Sequence, residues 1–218
     1  MASSEAQQQA ALRHLYALAR REIADALALV DPGDAAAVAD VIYTYVPVIA
    51  ERYGLAAGTL AADWYDELRE AAEAAGYFQA APAPLPTAGR YESMAAWVAG
   101  KDDIEQLVFG GVQRIIADQH RQTVMRSAFA DPRAEGWARF ARGAETCGFC
   151  YMLTSRGAVY TDQSAKFGAH DNCDCGAGPI FKGQVRQVDA YKKSTRRRSG
   201  GTTSTDNARA RDWIAENL

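Results

Sequence analysis

Residues 146–181 read TCGFCYMLTSRGAVYTDQSAKFGAHDNCDCGAGPIF and hold all four cysteines of the chain, Cys147, Cys150, Cys173 and Cys175, together with His170, one of three histidines. Cys147 and Cys150 form a C-x-x-C, and His170, Cys173 and Cys175 follow after an excursion through Arg156-Gly157. Two chelating half-sites on one short segment are what a tetrahedral metal centre needs. A cysteine-rich ligand set selects zinc over magnesium or calcium. Gly148 eases the turn of a tight knuckle in which both thiolates of the first half face one point. In the second half, residues two apart point to the same side of an extended strand, so Cys173 and Cys175 can face the ion together. A turn at Asp174-Gly176 would bring them closer still.

Three candidates in the second half compete for two places. The spacing leaves two sets open for one Zn2+ per chain. One has four cysteines, with His170 bonding to a ligand from outside. The other has three cysteines and His170. Two disulfides, or four unpaired thiols, are the competing readings of the same residues. A redox C-x-x-C lacks the βαβ setting it would need.

Outward from this segment the chain reads as helical. Leu12, Leu15, Leu18 (with Ala19), Ile23, Leu27 and Val30 recur at three and four in a first helix over 4–30. Asp31-Pro32-Gly33-Asp34 is a turn, with Asp34 as N-cap of the next helix. In that helix, through about Tyr53, Pro47 is expected to kink or split the chain near Val46. Tyr43, Tyr45 and Tyr53 read as aromatic packing between helices. Gly54 is expected to end the segment, Thr59 to start a third helix bearing Leu60, Trp64, Leu68 and Ala71, and Gly76 to stop it. Pro82, Pro84 and Pro86 mark an ordered connector over 80–89. A small helix follows at 91–99, and Asp102 or Asp103 caps a long helix to about Phe129. His120 on it reads as structural, having no paired nucleophile nearby. Trp137 and Phe140 read as packing for the approach to the cysteines, and Pro179–Phe181 as a short strand leaving them.

The expected architecture is therefore mainly α. It comprises a helical region over 1–80, a connector and long helix over 81–136, a small α+β zinc-stabilised module over 137–182, and a flexible basic tail over 183–218 with a helical pattern at its end. The chain carries 27 acids against 24 bases, which argues against a general nucleic-acid binder. Residues 182–198 reverse the balance, with seven bases against one acid. Lys192, Lys193, Arg196, Arg197 and Arg198 are the candidates for contact with phosphate backbones, a solubilising tail being the plain reading. The N-terminus MASSEAQQQA has no basic region leading to an apolar core, so no signal peptide is expected. No apolar run is long enough for a membrane span. Grouped cysteines suit metal in a reducing compartment.

The block Trp137, Arg142, Cys147, Cys150, Met152, Leu153, Ser155, Arg156, Gly157, Val159 and Tyr160, closed by His170, Cys173 and Cys175, resembles the C-terminal module of tailed-phage minor head proteins. These form the Mu F-like group, and versions from actinobacterial phages and prophages look most like this chain. The detailed match covers about residues 137–182. The resemblance implies a structural minor capsid protein inside the head near the portal vertex, assembled in the host cytoplasm. Its partners would be the portal protein, the major capsid protein or both, with non-specific contact to packaged DNA. It implies no catalytic residue and no membrane. Two alternatives accompany it. One is a capsid maturation protease, with Cys150 or Cys173 as nucleophile beside His170. The other is a zinc-stabilised, non-specific DNA-binding protein.

Overall fold

The computed structural model describes residues 5–87, 89–98, 101–141, 148–158, 160, 167–169, 173, 175–181 and 204–217. Within them the chain is a mainly α-helical body followed by a two-stranded element beside three cysteines. Helix α1 (Glu5–Leu27) buries Leu12, Tyr16, Ala19 and Ile23, the stripe its periodicity dictates. It leads through a turn closed by Asp31, whose Oδ1 accepts from the Gly33 N–H at 2.8 Å, into helix α2 (Ala35–Ala71). Asp34 caps α2 as expected, its Oδ1 accepting from the Ala36 and Ala37 N–H groups at 3.1 Å each.

Helix α2 corrects the expectation of two helices. It runs unbroken through Pro47, Gly54 and Thr59. A proline in a helix interior removes one hydrogen bond at a cost of about 3 kcal/mol. Here Ile42, Val46, Ile49, Ala50, Tyr53, Ala57, Ala61, Trp64 and Tyr65 are all buried along the same helix. Each large apolar side chain among them contributes about 1.5–3 kcal/mol, so tertiary packing outweighs the local defect. Gly54 and Gly58 are packing positions rather than stops. A Cβ at Gly54 would lie 3.2 Å from Gln119 Cγ, and one at Gly58 would lie 3.2 Å from Pro82 Cβ. The aromatic expectation holds for Tyr53, whose hydroxyl donates to Glu22 Oε1 at 2.7 Å. It fails for Tyr43 and Tyr45, which are exposed.

The proline-rich connector is ordered and pinned on both sides. Ala80 N–H donates to Asp66 Oδ1 on α2 at 3.0 Å. Ala83 N–H donates to Thr123 Oγ1 at 2.9 Å, and Gln119 Nε2 donates to the Ala83 carbonyl at 3.0 Å. These last two come from helix α4 (Ile104–Ala130), reached after the short helix α3 (Gly89–Val98). Asp103 precedes α4, but its side chain makes no capping hydrogen bond.

Strand β1 (Ala134–Phe140) pairs antiparallel with β2 (Gly176–Phe181), Trp137 opposite Pro179. Between them helix α5 (Gly148–Thr154) carries Cys150. The C-terminal helix α6 (Ser204–Asn217) packs on α5, where a Cβ at Gly148 would meet Ile214 Cγ2 at 3.1 Å. Gly148 therefore opens a helix and seats Ile214, rather than easing a turn. Among the described residues no helix is long and apolar enough to cross a membrane.

Two apolar clusters organise these elements. The first joins α1, α3, the N-terminal part of α2 and much of α4. The second joins Trp64 and Tyr65 of α2, Val124 and Met125 of α4, Trp137 and Phe140 of β1, and Cys150, Cys173, Cys175 and Phe181. The cysteines are thus part of a core that the helical body shares.

Candidate metal centre

Cys150 lies on the first turn of α5, and Cys173 and Cys175 immediately precede β2. The β1–β2 pairing and the packing of both strands on α4 bring these separate stretches to one point. The three sulfurs form a triangle: Cys150 to Cys173 is 3.4 Å, Cys150 to Cys175 3.5 Å, and Cys173 to Cys175 3.3 Å. All three are at most 3% exposed. These separations exceed a disulfide bond of about 2.0 Å, so the three cysteines are not bridged to one another. They approach the separation of roughly 3.8 Å that tetrahedral zinc thiolates adopt at about 2.3 Å from the ion. The three cysteines cluster closely enough to coordinate a metal.

The donor chemistry fits the same reading. Hydrogen bonds from Cys173 and Cys175, with burial, push the Cys150 thiol far above its ordinary value. At Cys175 the hydrogen bond with Cys150 lowers the value. The Cys173 thiol and burial outweigh it, and Cys175 is pushed up to about 11. Three buried sulfurs in contact cannot all ionise unless a cation offsets their repulsion, and a coordinated metal does so outright.

The floor of the site is built from α4. Arg121 is 2% exposed. Its Nε donates to the Cys175 carbonyl at 2.9 Å, and its Nη2 to the Cys173 carbonyl at 2.9 Å. The same Nη2 lies 3.7 Å from Cys175 Sγ, and Nη1 donates to Asp118 Oδ1 at 3.1 Å. Burial would lower the Arg121 pKa, but Cys175 and Asp118 raise it above its ordinary value. An aromatic wall stands beside this floor. Trp137 stacks on Tyr160 at 4.1 Å and on Phe167 at 5.6 Å. The guanidinium groups of Arg121 and Arg139 both lie over the Phe167 ring, at 4.8 and 3.9 Å.

Of the sequence candidates, the structure brings Cys150, Cys173 and Cys175 together. Cys147, His170, Lys192, Lys193, Arg196, Arg197 and Arg198 lie outside the described residues. Sequence reasoning missed Arg121, although a signal exists. It falls in register with the buried Ala117, Val124 and Ala128, a charge on an apolar stripe.

A profile of the VG15 protein family matches residues 2–198. The chain belongs to the VG15 protein family. The VG15 match spans the helical body, both strands and every cysteine, and it ends before α6. Neither the comparison with curated proteins nor that with solved structures gives a match.

His120, next to Arg121, is structural as expected. It is 2% exposed and packs against the Trp64 ring at 5.7 Å. Burial first, and the Arg121 charge second, lower its pKa to about 3. The folded protein therefore holds it neutral, while the unfolded chain takes up a proton near pH 6.5. Its contribution is fully present above that pH and is lost as pH falls toward 3. Each unit in this window costs about 1.4 kcal/mol. Denaturant unfolding at pH 6.5 and 4.5 should therefore show the wild type losing roughly 2–3 kcal/mol more than His120→Phe. Equal losses in the two proteins would contradict a neutral buried His120.

Proposed function

We propose that this chain is a non-enzymatic structural protein, a minor head protein of a tailed phage located inside the capsid near the portal vertex. In this reading its C-terminal module is fastened to its helical body by one zinc ion. The observation that carries the proposal is the triangle of buried cysteine sulfurs set in the core shared with α2 and α4. Cys150, Cys173 and Cys175 would be three ligands. Cys147, three residues before Cys150, or His170, three residues before Cys173, would supply the fourth. The ion would provide cohesion, since a fully occupied, buried site has no open position for substrate. The phage assignment itself rests on the Mu F-like resemblance of the cysteine block. Docking on portal or major capsid protein, and contact of Lys192, Lys193, Arg196, Arg197 and Arg198 with packaged DNA, belong to it.

The protease alternative needs a thiolate that substrate can reach. Cys150 and Cys173, at 1% and 3% exposure, do not offer one. The test has two parts. Elemental analysis of protein purified without added metal should find about one zinc per chain. Particles assembled with Cys173→Ser should lose this protein while the major capsid protein is processed normally. Full incorporation together with abolished capsid processing would overturn the structural reading.

A further inference from the structure

Arg121 is a charged side chain buried beside three sulfurs. Among the described residues its bonded acid is Asp118, which is 27% exposed and is shared with Arg90 at 2.9 Å. One half-solvated carboxylate thus serves two guanidinium groups. The guanidinium also faces the cysteines, with Nη2 3.7 Å from Cys175 Sγ. Neutral thiols bring no negative charge beside this guanidinium, whereas three or four thiolates on a divalent ion would.

The fork geometry has a second effect. Nε and Nη2 hold the carbonyls of Cys175 and Cys173, the two cysteines whose sulfurs lie 3.3 Å apart. A guanidinium is rigid and planar, so these two bonds fix the local backbone from which both sulfurs project. We infer that Arg121 is the counter-ion and positioning residue of the metal centre, offsetting its thiolate charge and pre-setting the Cys173–Cys175 half-site. This rests on the metal reading above.

The experiment uses the full-length wild type, Arg121→Met and Arg121→Lys. Zinc affinity is measured by competition with a chromophoric chelator. Cobalt loading, followed by its thiolate-to-metal absorption, reports whether the same sulfurs bind. Thermal unfolding is recorded with and without metal. Arg121→Met is expected to weaken zinc binding by about 10–100-fold, the usual effect of removing an outer partner of a ligand. It should retain the cobalt–thiolate band and destabilise the metal-free protein less than the loaded one, since both forms lose the two carbonyl bonds but only the loaded form loses the counter-charge as well. Arg121→Lys keeps the charge but drops the fork, and should fall between the two. Affinity of Arg121→Met within about twofold of wild type would overturn the inference, as would equal destabilisation of the metal-free and loaded forms. If Arg121→Met does not fold, Arg121→Lys carries the test, and wild-type affinity in it would overturn the inference. A wild type that binds no zinc would instead remove the metal reading on which the inference stands.

Discussion

Cys150→Ala is expected to lose the bound metal and to melt the cysteine module while leaving much of the helical body folded. Structural zinc contributes about 10–16 kcal/mol of apparent binding free energy in small modules, and an incomplete ligand set forfeits a large part of it. Few other contacts can replace it. Among the described residues the module has one two-stranded sheet and a seven-residue helix, which cannot bury enough apolar surface on their own. Its aromatic wall of Trp137, Tyr160 and Phe167 packs directly against the cysteine cluster. The near-ultraviolet signal of these rings should therefore collapse. The far-ultraviolet helical signal should fall less, because α1, α3 and much of α2 and α4 share the other apolar cluster. Treating wild type with a chelator should reproduce the same spectra. A Cys150→Ala protein that keeps about one zinc and a wild-type NMR spectrum would refute a structural metal.

The sequence disclosed features that local chemistry decides. Asp34 caps α2 because an oxygen acceptor two and three residues before orphan N–H groups is a self-contained device. The cysteines could be grouped from spacing because ligands of one ion must converge wherever the chain runs. Pro47 and Gly54 misled because their stop signals are only local preferences. Here a long buried stripe overrides the proline, and Gln119 and Leu85 fill the space beside Gly54. Strand β1 was illegible for a different reason. Five consecutive residues, Gly136–Phe140, are buried, which erases the alternation that marks a half-buried strand. Gly136, at φ 141°, sits where the pairing register shifts. Its partner β2 lies beyond the whole cysteine segment, so no short window contains the pair.

That long-range pairing also explains why the cysteine cluster is joined to the body. α4 packs against both strands, and Arg121 on it reaches the backbone between them and the cysteines. Trp64 of α2 packs edge-on against Phe140 at 6.0 Å, and Tyr65 against Phe181 at 5.7 Å. Displacing either strand would expose side chains of the two longest helices. Metal occupancy should therefore be felt in the second apolar cluster as a whole, rather than in a detached knuckle.

The corner where α2, α4 and β1 meet has a polar lock of its own, and Asp131→Ala should cost about 3–5 kcal/mol by breaking it. Asp131 closes α4, and its side chain has no solvent exposure. Its Oδ2 accepts from Arg69 Nε at 2.9 Å and from the Tyr65 hydroxyl at 3.3 Å, and Oδ1 accepts from the Arg133 N–H at 2.9 Å. Burial, then the Asp131 charge, push the Tyr65 hydroxyl well above its ordinary value, so Tyr65 remains a donor. Alanine would strand the Arg69 charge, whose side chain is only 10% exposed, and leave two further donors short of an acceptor. The contrasting pair is Arg52–Glu22, at a similar 2.8 Å but 58% and 36% exposed, where breaking the contact should cost at most about 1 kcal/mol. Urea unfolding of Asp131→Ala and Arg52→Ala, both in the metal-loaded protein, separates the two cases at equal metal content. Arg69→Met added to Asp131→Ala should recover part of the loss, because the stranded charge is then gone. A loss below about 1 kcal/mol in Asp131→Ala, or no recovery in the double variant, would mean that solvent already relieves the corner and that the lock is not buried in solution.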